Sequence, residues 1–257
     1  MALLKDFYVD ELRVRVFTTR NEMGVCAGEE IASCMKGLLA KKELINVMFA
    51  AAPSQLDTLH ALLRDPDIDW SRVNAFHMDE YVGLADTHPA GFRNFLTREL
   101  FGKKEFREIH LINGGANDPQ KEAKRYHVLL ENHPLDICVL GVGENGHIAF
   151  NDPPVADFSD PVYVKIVELE ERCRLQQVHD GCFEHIEEVP THALTVTIPG
   201  LIQAKYMFCS VPAATKAEAV WRTVNDAIST DCPATILRRC ANAMLYTDAD
   251  AGAQILM

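Results

Sequence analysis

Short runs of β-branched and aromatic residues recur along this chain with helix-length amphipathic segments between them, and that alternation restricts the fold more than any other feature. Leu12-Arg13-Val14-Arg15-Val16-Phe17 alternates as a half-buried strand does. Ile45-Asn46-Val47-Met48-Phe49, Val73-Asn74-Ala75-Phe76-His77-Met78, Ile137-Cys138-Val139-Leu140 and residues 109–112, 193–198, 206–211 and 243–246 read as further strands. Between them, Asn21 can cap a helix running through Ile31 and Met35 to Leu39, and Ser54 can cap one carrying Leu56, Leu59, His60 and Leu63 on a single face. Further helices are predicted through Phe92, Phe95 and Leu96, over residues 119–130 and over residues 214–224. Strands separated by helices of this length favour right-handed crossovers and a parallel sheet covered on both sides. The expected class is therefore α/β, an open, mostly parallel sheet with helices on both faces. The 257 residues, 48% of them hydrophobic, can bury one large core, and no linker-like or low-complexity run divides them, so one domain over residues 1–257 is expected.

The chemistry is concentrated in residues 135–154, LDICVLGVGENGHIAFNDPP. The strand Ile137-Cys138-Val139-Leu140 ends abruptly in Gly141, Gly143 and Gly146, which let the backbone turn tightly and deliver Asn145, His147, Asn151 and Asp152 beyond a strand's carboxyl end. Ligands of open α/β sheets bind at that edge. The spacing Gly141-x-Gly143-x-x-Gly146 also fits the dinucleotide fingerprint, but that motif needs a helix opening at its third glycine. His147-Ile148-Ala149-Phe150-Asn151-Asp152-Pro153-Pro154 starts a helix poorly and is closed by two prolines.

Charge and cysteine content narrow the partners. A net charge of −12, from 37 acidic and 25 basic residues, opposes a phosphate-backbone footprint and anionic membrane surfaces, so neither nucleic acid nor membrane is an expected partner. A phosphorylated small molecule would have to be held by a few local cations and backbone amides. The eight cysteines include no Cys-x-x-Cys pair and several lie in apolar patterns, which fits a reduced, cytoplasmic chain. No basic, then apolar leader opens the sequence and no 18 consecutive apolar residues occur, so neither secretion nor membrane spanning is expected. The histidines lack metal-ligand spacing; His179 and His185, beside Glu184, Glu187 and Glu188, read as a solvated face, and no metal is expected.

Ser54, the pair Asp79-Glu80 and the 145–152 loop each follow a strand, so their side chains can converge on one edge of the sheet. A carboxylate and a histidine meeting there suit proton transfer. Taken singly, Asp79 reads equally as a helix-capping or turn aspartate, and His147 as a histidine bonded to a neighbouring carbonyl. Their joint occurrence at adjacent strand ends favours function.

Two long segments carry a resemblance. Phe76-His77-Met78-Asp79-Glu80-Tyr81-Val82-Gly83-Leu84 and Gly141-Val142-Gly143-Glu144-Asn145-Gly146-His147-Ile148-Ala149-Phe150-Asn151-Asp152-Pro153 resemble the signature motifs of the glucosamine-6-phosphate deaminase (isomerase) family. Val189-Pro190-Thr191-His192-Ala193-Leu194-Thr195 and Lys216-Ala217-Glu218-Ala219-Val220 extend the match over roughly residues 10–250. The resemblance implies a Rossmann-like α/β fold, no cofactor, and conversion of an amino-sugar 6-phosphate with water to the ketose 6-phosphate and ammonia. It implies that Asp79 moves a proton between C2 and C1 of the opened sugar, and that His147, held by Asn145 and Asp152, assists ring opening. By the same resemblance the substrate-binding set is Ser54, Glu80, Gly143, Arg172, Gln177 and Lys216, with a lid over about residues 154–188 and either a monomer or a homo-oligomer.

The chain departs from the family pattern at several of these places. Asn145 stands where the family has an aspartate, and Asp152 where it has a glutamate. The family's Thr-Gly-Gly-Thr-Pro phosphate loop is Ala51-Ala52-Pro53-Ser54-Gln55 here, which loses the glycines that let amides wrap a phosphate. The lid's phosphate arginine falls at Gln177, with Arg172 and Arg174 nearby. Two further classes remain open at this point: a 6-phosphogluconolactonase on the same scaffold, and a sugar-phosphate sensor without turnover.

Overall fold

The computed structural model describes residues 2–256. Its strands and helices, in chain order, are β1 (Leu3–Val9), β2 (Leu12–Phe17), α1 (Arg20–Leu39), β3 (Ile45–Phe49), α2 (Leu56–Leu63), β4 (Val73–His77), β5 (Asp79–Tyr81), α3 (Phe92–Glu99), β6 (Glu108–His110), α4 (Pro119–Asn132) and β7 (Ile137–Leu140). There follow β8 (Val164–Glu168), α5 (Glu171–His179), β9 (His192–Val196), α6 (Ile198–Ile202), β10 (Tyr206–Val211), α7 (Ala217–Asn225), β11 (Ala243–Asp248) and α8 (Ala253–Leu256).

An eight-stranded sheet runs in the order β1-β2-β11-β10-β7-β3-β4-β6, parallel throughout except where β1 pairs antiparallel with β2. This is the expected open, mostly parallel α/β architecture. Strands β3, β4 and β6 build outward in one direction; the chain then returns to lay β7 on the other side of β3, with Met48 opposite Cys138. The order of strands reverses there, and the two crossovers leave in opposite directions. A crevice must therefore open beyond the carboxyl ends of β3 and β7.

Alternation along each central strand splits the interior between the two faces. Ile137, Val139, Val47 and Phe49 pack beneath α1 and α2 with Met23, Ile31, Met35, Leu59 and Leu62. Cys138, Leu140 and Met48 face the opposite way, onto Ala123, Tyr126 and Leu130 of α4 and Ala219, Val220 and Val224 of α7. Both faces being dry, these strands read in the sequence as nearly continuous apolar runs. Burying each large apolar side chain contributes about 1.5–3 kcal/mol.

Several local expectations are corrected. Thr19, not Asn21, caps α1, accepting a hydrogen bond from the Glu22 amide at 3.2 Å. Ser54 caps no helix: it lies inside a single 3-10 turn, Pro53–Gln55, and its hydroxyl accepts from Gln55 Nε2 at 3.2 Å. The span after the glycine loop, for which the sequence shows no strand or helix pattern, is structured. It carries β8, which joins β5 and β9 in a second, antiparallel sheet of order β5-β9-β8, and the helix α5. Asp79 and Glu80 therefore sit in a strand, with Asp79 opposite Thr195. Among the described residues no helix is long and apolar enough to cross a membrane.

Candidate active site

A cleft of about 500 Å³, counted with its open mouth, lies at the reversal of strand order. Ser54 and Gln55 after β3, Asp79 after β4, Gly141, Gly143 and His147 after β7, Gln176 and Gln177 of α5, and Lys216 before α7 all line it. Ser54, Asp79, Gly143, His147, Gln177 and Lys216 are thus brought together from five separate parts of the sequence.

Asp79 is placed by its neighbour two residues back. His77 is fully buried; its Nε2 accepts the Ile112 amide at 2.8 Å, so Nδ1 carries the ring hydrogen and donates to the Asp79 carbonyl at 3.0 Å. Burial lowers the His77 pKa to about 4, so this bridging tautomer persists at neutral pH. The Asp79 carboxylate itself is only 7% exposed and accepts no hydrogen bond among the described residues. Burial, and then the charge of Glu80, push its pKa well above the ordinary carboxylate range. The carboxylate is therefore a stronger base than a solvated aspartate. It is not the capping residue that its type alone would allow.

Glu80 is turned away from the cleft. Its carboxylate accepts the amides of Tyr81, Phe92 and Arg93 at 3.0, 3.1 and 2.9 Å. The expectation of substrate contact is corrected: Glu80 serves the first turn of α3, whose amides have no helical partners, and so fixes the strand that carries Asp79.

The glycine loop folds around His147. Gly146 takes a φ of 86°, and its amide closes a turn on the Gly143 carbonyl at 3.0 Å. The Gly143 amide then bonds the His147 carbonyl at 2.9 Å, laying the imidazole against the Gly143 backbone so closely that a Cβ on Gly143 would collide with the ring. The nitrogen facing inward, Nδ1, is 2.9 Å from Asp152 Oδ1, although off the axis of a well-aligned hydrogen bond. Nε2 is left to the cleft. Asn145 accepts the His147 amide at 3.1 Å and donates to Asp152 at 3.0 Å and to Glu170 at 2.6 Å. Burial alone would raise the Asp152 pKa, but His147 and the donors Asn145 and the Glu170 amide outweigh it and hold the carboxylate ionised below its usual range. Asn151 lies outside the chemistry: its amide donates to the Ile148 and Val196 carbonyls.

At the other end of the cleft, Lys216 is 5% exposed and its Nζ has no hydrogen-bond partner among the described residues. Burial lowers its pKa, opposed by the charges of Asp180 and Glu144. An unpaired buried ammonium is costly until an anion meets it. Arg172 does not supply a second cation here: its guanidinium is bound to the Glu144 carbonyl and to Glu218, both at 3.0 Å, outside the lining. Arg174 is likewise engaged, with the Ile186 and Val189 carbonyls. The neutral amides of Gln55, Gln176 and Gln177 complete this end. Gln55 donates to the Ser210 carbonyl at 3.0 Å, and Gln176 accepts the Glu144 amide at 2.9 Å.

Sequence reasoning missed Gln55, Gln176, Glu170 and Cys173. The signal for two of them, Cys173 and Gln176, was in α5, where they and Gln177 are buried at helical spacing but are not the leucines of an ordinary core stripe. Cys173 packs against the loop's acidic residue, and burial followed by the Asp152 charge keeps it a thiol.

The family model described as glucosamine-6-phosphate isomerases/6-phosphogluconolactonase matches residues 18–246. The glucosamine-6-phosphate deaminase of Listeria monocytogenes serovar 1/2a is 34% identical over 239 residues, covering 93% of this chain and 98% of that protein. The solved structure of a monomeric glucosamine-6-phosphate deaminase superposes with a TM-score of 0.85 at 26% identity, covering 93% of this chain and 98% of the other. A 6-phosphogluconolactonase from Trypanosoma brucei shares the fold, with a TM-score of 0.75 at 17% identity and coverage of 94% and 98%.

Proposed function

The chain belongs to the glucosamine-6-phosphate isomerase/6-phosphogluconolactonase family, and we propose that it is an amino-sugar-phosphate deaminase, converting glucosamine 6-phosphate or galactosamine 6-phosphate and water to the ketose 6-phosphate and ammonia. The observation that carries this reading is the Asp79 carboxylate, desolvated and unpaired at a strand end, in one cleft with a histidine and a lone buried ammonium. Moving a carbon-bound proton needs a base stronger than a solvated aspartate. Hydrolysing a lactone involves no such step, and a sensor would gain nothing from an unpaired buried carboxylate.

In this reading the substrate phosphate meets Lys216, flanked by Ser54 and Gln177, and the sugar lies along the Gly141–Gly143 backbone toward His147. His147, with Nδ1 held against ionised Asp152, uses Nε2 to take the proton of the anomeric hydroxyl and return one to the ring oxygen, opening the ring. Asp79 then takes the proton from C2 and delivers it to C1, leaving an iminium at C2 that water hydrolyses to ketose and ammonia. Asn145 and Glu80 position these groups from behind, through the Asp152 contact and the start of α3 respectively. Residues 154–188 act as the lid of one catalytic domain, and the reaction is placed in the cytoplasm.

The test offers purified protein glucosamine 6-phosphate, galactosamine 6-phosphate and 6-phosphogluconolactone in turn. Ammonia from at least one amino sugar is expected. Acid release from the lactone with both amino sugars untouched would establish the lactonase reading instead. Ligand-induced stabilisation without turnover of any of them would establish the sensor.

A further inference from the structure

Behind the catalytic loop, a ring nitrogen of His147, an Asp152 carboxylate oxygen and Cys173 Sγ lie within 4.8 Å of one another, all three residues buried, and Nδ1 is the nitrogen beside Asp152, 2.9 Å from its Oδ1. Two come from the loop after β7 and the third from α5 of the lid. Imidazole, carboxylate and thiol are the donor set of a tetrahedral zinc site, and three protein ligands leave a fourth position for water. An independent observation points the same way: Nδ1, on a residue only 7% exposed, makes no aligned hydrogen bond despite the carboxylate beside it.

We propose that this cluster is an inhibitory zinc site that joins the lid helix to the catalytic loop and takes His147 out of the reaction. Zinc accepts the Nδ1 lone pair, binds the Asp152 carboxylate, and replaces the proton of the Cys173 thiol, which leaves to solvent. The charge of the ion is then matched by one thiolate and one carboxylate, so the buried complex is neutral, and the large penalty of enclosing an uncompensated charge does not arise. With the metal on Nδ1, the imidazole hydrogen is fixed on Nε2. The cleft-facing nitrogen becomes a donor that cannot accept a proton from the sugar, and Asp152 no longer supports an imidazolium. Hard cations such as magnesium, which select oxygen ligands in octahedral geometry, fit this set badly.

The inference about inhibition rests on the deaminase reading; the site itself does not, so the experiment reads metal binding apart from turnover. Protein freed of metal with a chelator is titrated with zinc chloride by calorimetry and with cobalt chloride by absorption. One ion per chain and a thiolate-to-cobalt charge-transfer band are expected. Cys173→Ser and Cys173→Ala should abolish the band and weaken zinc binding by at least the roughly 10–100-fold that loss of even an outer-shell partner costs. Turnover by the wild type should fall with zinc, recover with chelator and ignore magnesium, while the turnover each variant shows without zinc should be the same with it. Should either variant misfold, anomalous diffraction at the zinc edge from zinc-soaked wild-type crystals locates the ion without any substitution. An ion found away from these three side chains, a band that survives loss of Cys173, equal zinc inhibition of wild type and variants, or no binding at all would each overturn the proposal.

Discussion

Asp79→Asn should inactivate the protein and stabilise it at the same time. The substitution keeps the shape of the side chain and removes a charge that is buried, unpaired and repelled by Glu80. Because the folded pKa lies above the unfolded value of about 3.9, the folded state holds more protons between the two, and stability falls as pH rises through that window. Asparagine has no such dependence. The variant should match the wild type near pH 4 and gain on it as pH rises, until the wild-type carboxylate is ionised in both states. A buried polar group left unsatisfied costs about 1–3 kcal/mol. Because this residue lines the cleft and is still 7% exposed, we expect a gain toward the lower end of that range, at roughly 2–4 °C in Tm per kcal/mol for a chain of this size. Thermal unfolding across pH, together with kcat at saturating substrate, measures both halves. A loss of about 10²–10⁴-fold in kcat is expected for a removed general base. A variant less stable than the wild type at neutral pH, or one that keeps more than about a tenth of its turnover, would refute the assignment of a strained catalytic carboxylate.

His147→Gln should reduce turnover of the closed-ring sugar more than that of an already opened analogue; equal losses in steady-state assays on the two would remove ring opening from its task. Lys216→Ala should cost about 1.5–3 kcal/mol in kcat/KM, the range for a hydrogen bond to a charged group, because among the described residues no arginine lines the cleft to replace it. An unchanged kcat/KM would move the phosphate elsewhere. Residues 154–188 should gain amide protection when a sugar phosphate binds, read by hydrogen exchange, and protection gained only elsewhere would dissolve the lid.

The legibility of the sequence follows from where each segment's stabilisation originates. Central strands such as β3 and β7 are buried on both faces, so their own residues declare them, and the site at their carboxyl ends follows from topology. Strand β1 was missed because it is an exposed antiparallel edge carrying Lys5 and Asp6 among half-exposed Leu3 and Leu4. Strand β5, Asp79-Glu80-Tyr81, has no strand-like composition; it exists because β9 pairs with it. Helix α5 hid because polar residues occupy its buried stripe, which faces the cleft in place of a leucine core. The placing of Asp79 and His147 at one edge of the sheet could be read because each follows a strong strand signal. The orientation of Glu80, the diversion of Arg172 to Glu218, and the meeting of Cys173 with Asp152 depend on contacts between distant segments, which no local pattern records.

We propose that Asp79 carries a proton from C2 to C1 of an opened amino-sugar phosphate. This transfer is tested most directly by running the reaction in deuterated water and examining the ketose product by NMR. Ammonia release with solvent deuterium at C1 is expected for the wild type, with product formation and C2 exchange both slowed by about 10²–10⁴-fold in Asp79→Asn. Ketose formed with the same deuterium content by Asp79→Asn, at undiminished rate, would contradict it.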